Sequence, residues 1–249
     1  MQKLFYVLIC IAGICSCAKQ SPTLNNNVNT GTAGSIARFA VVGNTLYTVS
    51  LTHLNIFDVS DKNNPVLAGS ANLGFNIETI FPRDDSTLFV GSSNGMYIFD
   101  IKDRLLPNQK SLYMHFTACD PVVANQTHAF ITLSSNISRR RCFRSVNQLE
   151  VIDISNLAEP QVIKTIPMAQ PQGLALHNNS LFVCDNGLKW FDITNPANPL
   201  IKKNYISIQP NDILTVDSVL IAIGDNGLSQ YQISNDSLVL LSVIPLIKK

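Results

Sequence analysis

The chain has 249 residues, of which 46% are hydrophobic and 14% are charged, and its formal net charge is +1. This hydrophobic content is ample for a packed core and excludes a disordered chain. A net charge this close to zero gives no overall field that would attract nucleic acid, so any electrostatic function has to be local.

The N-terminal segment predicts a secretory signal. Lys3 is followed by an apolar run over residues 4–14, which is too short to span a bilayer of about 30 Å. The end of the run, Ile14-Cys15-Ser16-Cys17, resembles the bacterial lipobox, in which a small residue precedes the cysteine that becomes lipidated. We therefore expect a signal peptide over residues 1–16 and a lipid on Cys17. The alternative is a signal peptide cleaved elsewhere, with the cysteines as its apolar members.

The residues after the lipobox predict where the chain is anchored. Ala18, rather than an aspartate, follows Cys17, so by resemblance to enterobacterial sorting the inner-membrane retention signal is missing. We expect a location in the cell envelope, at the outer membrane. Residues 17–34 are rich in Asn, Thr, Ser and Gly, and they predict a flexible tether between the lipid and the domain that follows.

One pattern of alternating apolar residues recurs five times in the rest of the chain. Its copies end at equivalent positions about 40 residues apart, with one longer interval, namely Asp58, Asp100, Asp153, Asp192 and Gln232. A short β-branched or aromatic run precedes each copy, and Gly-Asn or Asn-Gly pairs supply tight turns. With one apolar run before and one after these two, each repeat predicts four strands.

The repeat predicts an all-β propeller over residues 35–249. A four-stranded sheet with two apolar faces has to stack against its neighbours, and radial stacking is usual for antiparallel blades of this length. We expect about five four-stranded blades. A two-sheet sandwich would not explain why one pattern recurs five times.

Two copies of the pattern also resemble a known repeat. The segments 149–155 and 190–196 resemble the LVIVD repeat, which occurs in extracytoplasmic propeller-like proteins, many of them lipoproteins. The resemblance extends over roughly residues 35–245. It implies a β-propeller and a lipid-anchored location, and it implies no particular activity.

The aspartate that ends most copies has two interpretations. An acid at one place in four blades could form a ligand set. An aspartate at a strand end, followed by Ser, Thr or Lys, more often caps a turn by accepting backbone N–H bonds. We expect the capping role, and Gln232 could fill it in the last repeat.

The cysteines of the mature chain predict one disulfide. Cys119 precedes the innermost strand of the third repeat, and Cys142 lies between its second and third strands. Loops at these two places emerge at the same face of a propeller, and an exported protein can oxidise them. Closing this loop should contribute roughly 3 kcal/mol. Cys184 is expected to be a buried strand thiol.

An insertion over residues 134–146 carries the strongest local charge in the chain, from Arg139, Arg140, Arg141 and Arg144. Arginine forks match carboxylate and phosphate groups in bidentate geometry. The cluster predicts a contact for an acidic protein or glycan partner. The alternative is a solvated loop.

A possible acidic ring is the strongest candidate for chemistry. Aligning the innermost strands brings Arg38, Glu78, Asp120, Gly173 and Asp212 to similar positions near the channel. The three acids could hold Ca²⁺, as in propellers that are lactonases, unless Arg38 simply neutralises one of them. The four histidines have no ligand spacing, and common hydrolase and metalloprotease motifs are missing.

These patterns favour a binding or scaffolding module for a protein or glycan, with no cofactor and no nucleic-acid partner. An enzyme is the less favoured interpretation. Its form would be a Ca²⁺-dependent propeller hydrolase of the lactonase type, built on Glu78, Asp120 and Asp212.

Overall fold

A computed structural model describes residues 34–74, 76–115, 121–135 and 146–246. These residues form twenty β-strands in five antiparallel four-stranded sheets. In every sheet the strands lie in the order of the sequence. The sheets form a ring, so the chain is a β-propeller of five blades, which confirms the predicted all-β class. Within the described ranges no helix has the length and hydropathy needed to cross a membrane.

The blades follow one another along the chain. Blade 1 contains β1 to β4, with bounds Phe39–Val42, Thr45–Val49, His53–Asp58 and Val66–Asn72. Blade 2 contains β5 to β8, with bounds Ile77–Pro82, Thr87–Ser92, Gly95–Asp100 and Asn108–Met114. Blade 3 contains β9 to β12, with bounds Val122–Ala124, His128–Leu133, Gln148–Asp153 and Gln161–Pro167. Blade 4 contains β13 to β16, with bounds Pro171–His177, Ser180–Asp185, Leu188–Asp192 and Leu200–Tyr205. Blade 5 contains β17 to β20, with bounds Asp212–Val216, Val219–Gly224, Gly227–Ile233 and Leu238–Pro245.

The first strand of each blade is the innermost one, because β1, β5, β9, β13 and β17 contact one another in that order. Apolar side chains fill the spaces between the blades. All of β6 is buried, since it lies between two neighbouring blades, whereas β20 at the rim is exposed from Val239 to Pro245. Four buried apolar clusters join blade 1 to blade 2, blade 2 to blade 3, blade 3 to blade 4 and blade 4 to blade 5.

The boundary between blade 5 and blade 1, which we call the seam, is built differently. No buried apolar cluster bridges it among the described residues. Phe39 in β1 is 59% exposed, although aromatic side chains usually pack. A polar contact joins the two blades instead, because Ser35, just before β1, donates its hydroxyl to Asp212 at the start of β17.

A β-bulge recurs in every blade between the third and fourth strands. The register shifts by one residue just before the aspartate or glutamine that ends the repeat pattern. The extra residue lies in the fourth strand, and in the five blades it is Ala68, Lys110, Ile163, Lys202 and Leu241. Because a bulge increases the local twist, it lets each outer strand curve around the ring.

The aspartates of the repeat cap turns, as their sequence context predicts. Oδ1 of Asp58, Asp100, Asp153 and Asp192 accepts the backbone N–H two residues later, over 2.8 to 3.0 Å. These hydrogen bonds hold the pKa of each carboxyl below its usual range. Gln232 differs, because its amide donates to the Ser218 carbonyl instead of accepting from the backbone two residues on.

Cys184 lies in the interior of β14 and is a free, buried thiol, which confirms its predicted structural role. Burial raises the pKa of this thiol, and the nearby carboxylate of Asp212 raises it further. A thiol with a raised pKa is a poor nucleophile, so Cys184 belongs to the core and not to a reactive site.

Candidate functional site

The candidate site is the end of the propeller at which the segments leading into the innermost strands meet the turns between second and third strands. Backbone hydrogen bonds join these two sets of segments. Ile77 N–H donates to Leu51, His115 N–H to Asn94 and Met168 N–H to Asn147. We call this end the top face, and it is where propellers commonly bind ligands.

The structure describes part of the predicted acidic ring. Glu78 lies in β5, Gly173 lies in β13 and Asp212 begins β17, all close to the top face. Arg38 precedes β1, and its Nη2 donates to the Ile77 carbonyl over 3.1 Å. Several predicted residues lie outside the described ranges, namely Cys17, Cys119, Asp120, Arg139, Arg140, Arg141, Cys142 and Arg144.

Asp212 is enclosed at the centre of the top face, with 7% of its surface exposed. Its Oδ1 accepts the Ser35 hydroxyl over 3.2 Å, and the same hydroxyl oxygen accepts the Leu174 N–H over 2.8 Å. Gly34 and Gly173 lie against the carboxylate, and a Cβ atom at either glycine would collide with it. The arrangement joins the start of blade 1 to blades 4 and 5.

The repeat alignment put Asp212 near the entrance of the channel, but it did not indicate the contacts with Ser35 and Gly34 that the structure shows there. The only sequence signal for these contacts is the small residues Gly34 and Ser35 just before the first repeat, and Ser35 is 177 residues from Asp212. Among the described residues, no three His, Cys, Asp or Glu side chains lie close enough together to hold a metal ion. The predicted ring also needs Asp120, so the calcium site stays a prediction.

Asn147 holds the base of the arginine-bearing insertion. Its Oδ1 accepts the backbone N–H and the hydroxyl of Ser135, over 2.9 and 3.0 Å. Its Nδ2 donates to the Ala169 carbonyl over 2.9 Å, in the segment that leads to blade 4. Ser135 and Asn147, on either side of the insertion, therefore lie together on the top face of blade 3.

Blade 4 has an ion pair on the same face, between the buried Asp185 and the partly exposed Lys189. The Asp185 side chain has no exposed surface, and its Oδ2 accepts from Lys189 Nζ over 2.5 Å. The carboxylate also accepts the N–H groups of Ala169 and Gln170, over 3.0 and 2.5 Å. These contacts fix the segment that leads from blade 3 to β13.

Lys189 occupies a position that recurs in the third strand of every blade, three residues before the aspartate or glutamine that ends the repeat pattern. We call it the bridge position, and its residues in blades 1 to 5 are Asn55, Tyr97, Glu150, Lys189 and Ser229. In blade 2 the hydroxyl of Tyr97 donates to the Leu73 carbonyl. In blade 3 Glu150 Oε2 accepts the Tyr113 hydroxyl over 2.9 Å, and burial, together with Glu150, raises the pKa of Tyr113.

Blade 5 has a cavity of about 170 Å³ beside its bridge position. The cavity lies between the segment that leads into β17 and the turn between β18 and β19, so it opens on the top face. Its lining includes Gln209, Pro210, Ala222, Asn226, Ser229 and Tyr231. We call it the blade 5 cavity, and no feature of the sequence alone indicated it.

The fold and the repeat together define the class of protein. Five sequential four-stranded blades around a common centre, four of them with the same aspartate-capped turn between the third and fourth strands, are those of a repeat-built β-propeller. The LVIVD repeat model matches residues 31–72, 145–166 and 170–207, which lie in blades 1, 3 and 4. The chain is an LVIVD-repeat β-propeller.

Solved structures with the same fold are distant in sequence. A Lactobacillus plantarum protein is 14% identical, with a TM-score of 0.61 over 83% of this chain and 74% of that one. A Bacteroides uniformis protein, provisionally named a 6-phosphogluconolactonase, is 11% identical, with a TM-score of 0.65 over 83% and 70%. The periplasmic gluconolactonase of Pseudomonas aeruginosa is 10% identical, with a TM-score of 0.62 over 82% and 68%.

At these identities the likeness shows a shared fold and no more. A comparison with curated proteins gave no match.

Proposed function

We propose that this chain is a lipid-anchored extracytoplasmic binding module that holds a protein or glycan partner on its top face. The environment of Asp212 carries this proposal. Its carboxylate is enclosed by Gly34 and Gly173 and accepts the Ser35 hydroxyl, so it serves to hold three blades together. In a propeller enzyme an acid at this place would have to be accessible to the substrate, whereas the Asp212 carboxylate is enclosed and engaged in a structural contact.

The arginine-bearing insertion is the proposed contact for an acidic group of the partner. Ser135 and Asn147 hold its two ends together on the top face of blade 3. Arg139, Arg140, Arg141 and Arg144 offer planar donor groups that bind carboxylates and phosphates in pairs. A disulfide between Cys119 and Cys142 would hold the insertion against the segment that leads into β9 and reduce the entropy lost on binding.

Anchoring would come from a lipid on Cys17, with the outer membrane of the cell envelope as the proposed location. Gly34, where the described domain begins, lies against Asp212 on the top face. The anchored segment would therefore reach the domain on the same face that we propose for the partner. Multiple acyl chains would make this attachment stable, whereas a single chain is marginal.

Binding of an acidic glycan tests the arginine contact. We expect the full chain to bind oligogalacturonate, measured by isothermal titration calorimetry at low salt, through paired guanidinium–carboxylate contacts. The triple variant Arg139→Ser, Arg140→Ser, Arg141→Ser should lose at least tenfold in affinity, or about 1.4 kcal/mol. Binding by the wild-type chain should weaken as salt is raised, because exposed charges are screened.

A matched variant separates this contact from a general charge effect. Lys62→Ser, Lys102→Ser, Lys203→Ser removes the same charge from three exposed lysines outside the insertion. It should bind like the wild type. Equal affinities for all three proteins would show that the insertion is not the contact.

A calcium-dependent lactonase is the second candidate, and one observation favours it. Glu78 and Asp212 lie near the starts of the innermost strands of blades 2 and 5, where a central cation would need oxygen ligands. The periplasmic gluconolactonase of Pseudomonas aeruginosa has the same fold, at 10% identity. Under this function Asp120 would complete the ligand set.

Metal content and thermal unfolding discriminate between the two candidates. For a binding module we expect no stoichiometric Ca²⁺ in the purified chain and no change in Tm on adding a chelator. Asp120→Asn should leave both readouts unchanged. If the wild-type chain contains Ca²⁺ that is missing from Asp120→Asn, and if chelator lowers its Tm, the lactonase becomes the favoured function and the binding module is rejected.

A further inference from the structure

The blade 5 cavity exists because blade 5 lacks a contact that blades 2, 3 and 4 possess. In those blades a long polar side chain at the bridge position reaches the preceding blade or the segment leading from it, through Tyr97, Glu150 and the Lys189–Asp185 pair. In blade 5 the position holds Ser229, opposite Ala222 in β18. A serine is too short to reach the segment that leads from blade 4.

Asp185 is also without a counterpart in blade 5. The corresponding end of β18 is Gly224, where a Cβ atom would come within 2.7 Å of the Gln209 carbonyl oxygen. The backbone of the leading segment therefore approaches β18 closely at Gly224, and the space beside Ser229 stays unfilled. The small residues Ser229 and Gly224 therefore leave the space that forms the cavity.

Other hydrogen bonds keep the cavity wall in place without filling the cavity. Asn211 N–H donates to the Ile223 carbonyl over 2.8 Å, and Asn211 Nδ2 donates to Asp225 Oδ1 over 2.8 Å. Gln209 Nε2 donates to the Ile206 carbonyl over 2.6 Å. The segment thus keeps a defined shape, and a ligand would not have to order it on binding.

The lining is neutral and amphipathic. Among the described residues that form it, none is Asp, Glu, Lys, Arg or His. Pro210, Ala222 and the Tyr231 ring give apolar surface, and Gln209, Asn226 and Ser229 give amide and hydroxyl groups. A charged ligand would lose hydration here without gaining a counter-ion, whereas a neutral ligand with C–H faces and hydroxyl groups would not.

The volume limits the size of the ligand. The cavity volume of about 170 Å³ is well above the roughly 10–15 Å³ that holds one water molecule, so the cavity has room for a small ligand of several heavy atoms. One six-membered sugar ring displaces a similar volume. The combination of an aromatic side chain, an apolar floor and amide groups at the rim suits such a ring.

We propose that the blade 5 cavity binds one neutral pyranose unit. The C–H face of the sugar lies against Tyr231 and Ala222, and its hydroxyls bind Gln209, Asn226 and Ser229. This site deepens the proposed function, on which it rests, by naming a neutral sugar as one glycan that the top face takes. It uses a different blade from the arginine insertion and no charged side chain.

Titration of the full chain with methyl glucoside, methyl galactoside and methyl mannoside tests the site. Ligand-observed NMR and calorimetry measure the binding. We expect millimolar binding of at least one glycoside. In the triple variant Arg139→Ser, Arg140→Ser, Arg141→Ser, which lacks the proposed carboxylate contact, we expect weaker binding of glucuronate than of that glycoside. Ser229→Tyr places in blade 5 the residue that blade 2 has at the same position, so it should fill the cavity and lower affinity at least tenfold. Asn55→Tyr, the same change in blade 1, should leave binding unchanged.

A second variant tests the aromatic wall without filling the cavity. Tyr231→Leu keeps an apolar side chain but removes the ring, and we expect a several-fold loss of affinity. The proposal is overturned if no glycoside binds the wild-type chain, if Ser229→Tyr binds as tightly as the wild type, or if the arginine triple variant binds glucuronate more tightly than the glycosides. The arginine triple variant should bind the glycosides normally, so the two sites fail independently.

Discussion

At the scale of single residues, the repeated aspartates were predictable because their contact is local. Asp153 accepts from Ser155, two residues later, so the sequence contains both partners. Asp212 is the opposite case. Its position at the top face followed from the alignment of repeats, whereas its enclosure by Gly34 and Ser35 depends on the closure of the whole ring. No local pattern predicts a contact of that kind.

The capping aspartates make the stability of each turn depend on pH. The Ser155 backbone N–H, followed by the Ser155 hydroxyl, lowers the pKa of Asp153 below its unfolded value. The stabilisation is therefore fully present above the unfolded pKa near 3.8 and is lost as pH falls through the lower folded pKa. We expect Asp153→Ala to lower Tm at pH 7, and this difference from the wild type should shrink as pH falls below about 3.8.

Thermal unfolding of the wild type, Asp153→Ala and Asp153→Asn across pH 2 to 7 measures this effect. Asn keeps an acceptor oxygen for the Ser155 N–H, so Asp153→Asn should lose less than Asp153→Ala and should respond less to acid. A Tm difference between Asp153→Ala and wild type that is constant over the whole pH range would contradict a role for the ionised carboxylate.

At the scale of strands, the number of blades and their strands followed from the apolar runs and turn residues. The recurring bulge did not, because it is set by the register between two strands and not by either strand alone. The blade 5 cavity also escaped sequence reasoning. The repeat aligns Ser229 with Lys189, but only the structure shows the contact that Lys189 makes with Asp185 and that Ser229, opposite Ala222, does not make.

The outer strand of blade 5 is, with eight residues, the longest of the five outer strands. In blades 2 and 4 the bulged residue is Lys110 or Lys202, whereas in blade 5 it is Leu241, which is 52% exposed. The strand Leu238–Pro245 has no charged residue. A long, exposed and uncharged edge strand is a template for pairing with another chain.

We expect the wild-type chain to self-associate through this edge at high protein concentration and Leu241→Lys to reduce that association. Lysine is compatible with the bulge, because blades 2 and 4 already have it there, and its charge opposes edge-to-edge pairing. Sedimentation velocity over a range of concentrations measures the effect. Leu67→Lys, in the outer strand of blade 1 at 56% exposure, is the control. Unchanged association in Leu241→Lys would exclude this edge.

At the scale of the whole molecule, four boundaries between blades rest on buried apolar clusters and the fifth, the seam, rests on the Ser35–Asp212 contact. We expect Ser35→Ala to destabilise the chain by about 1–3 kcal/mol, because it leaves a buried carboxylate and the Leu174 N–H each short of one partner. Urea unfolding measures this cost.

An exposed serine provides the comparison for Ser35. Ser242 in β20 donates a single hydrogen bond, to Gln230, and lies in solvent. Ser242→Ala should therefore stay within about 0.5 kcal/mol of the wild type. If both variants lose the same stability, the seam does not depend on the serine contact.

The seam also sets the order in which the chain can fold as it is synthesised from its N-terminus. Blades 2 to 5 can each pack on the blade before them as soon as they emerge. Ser35 has to wait until Asp212, 177 residues later, is available, and closing so long a loop is slow. Until then the outward side of blade 1, including Phe39, has no neighbour from its own chain. The newly made protein therefore stays vulnerable to proteases and to mispairing until blade 5 has formed and the Ser35–Asp212 contact closes the ring.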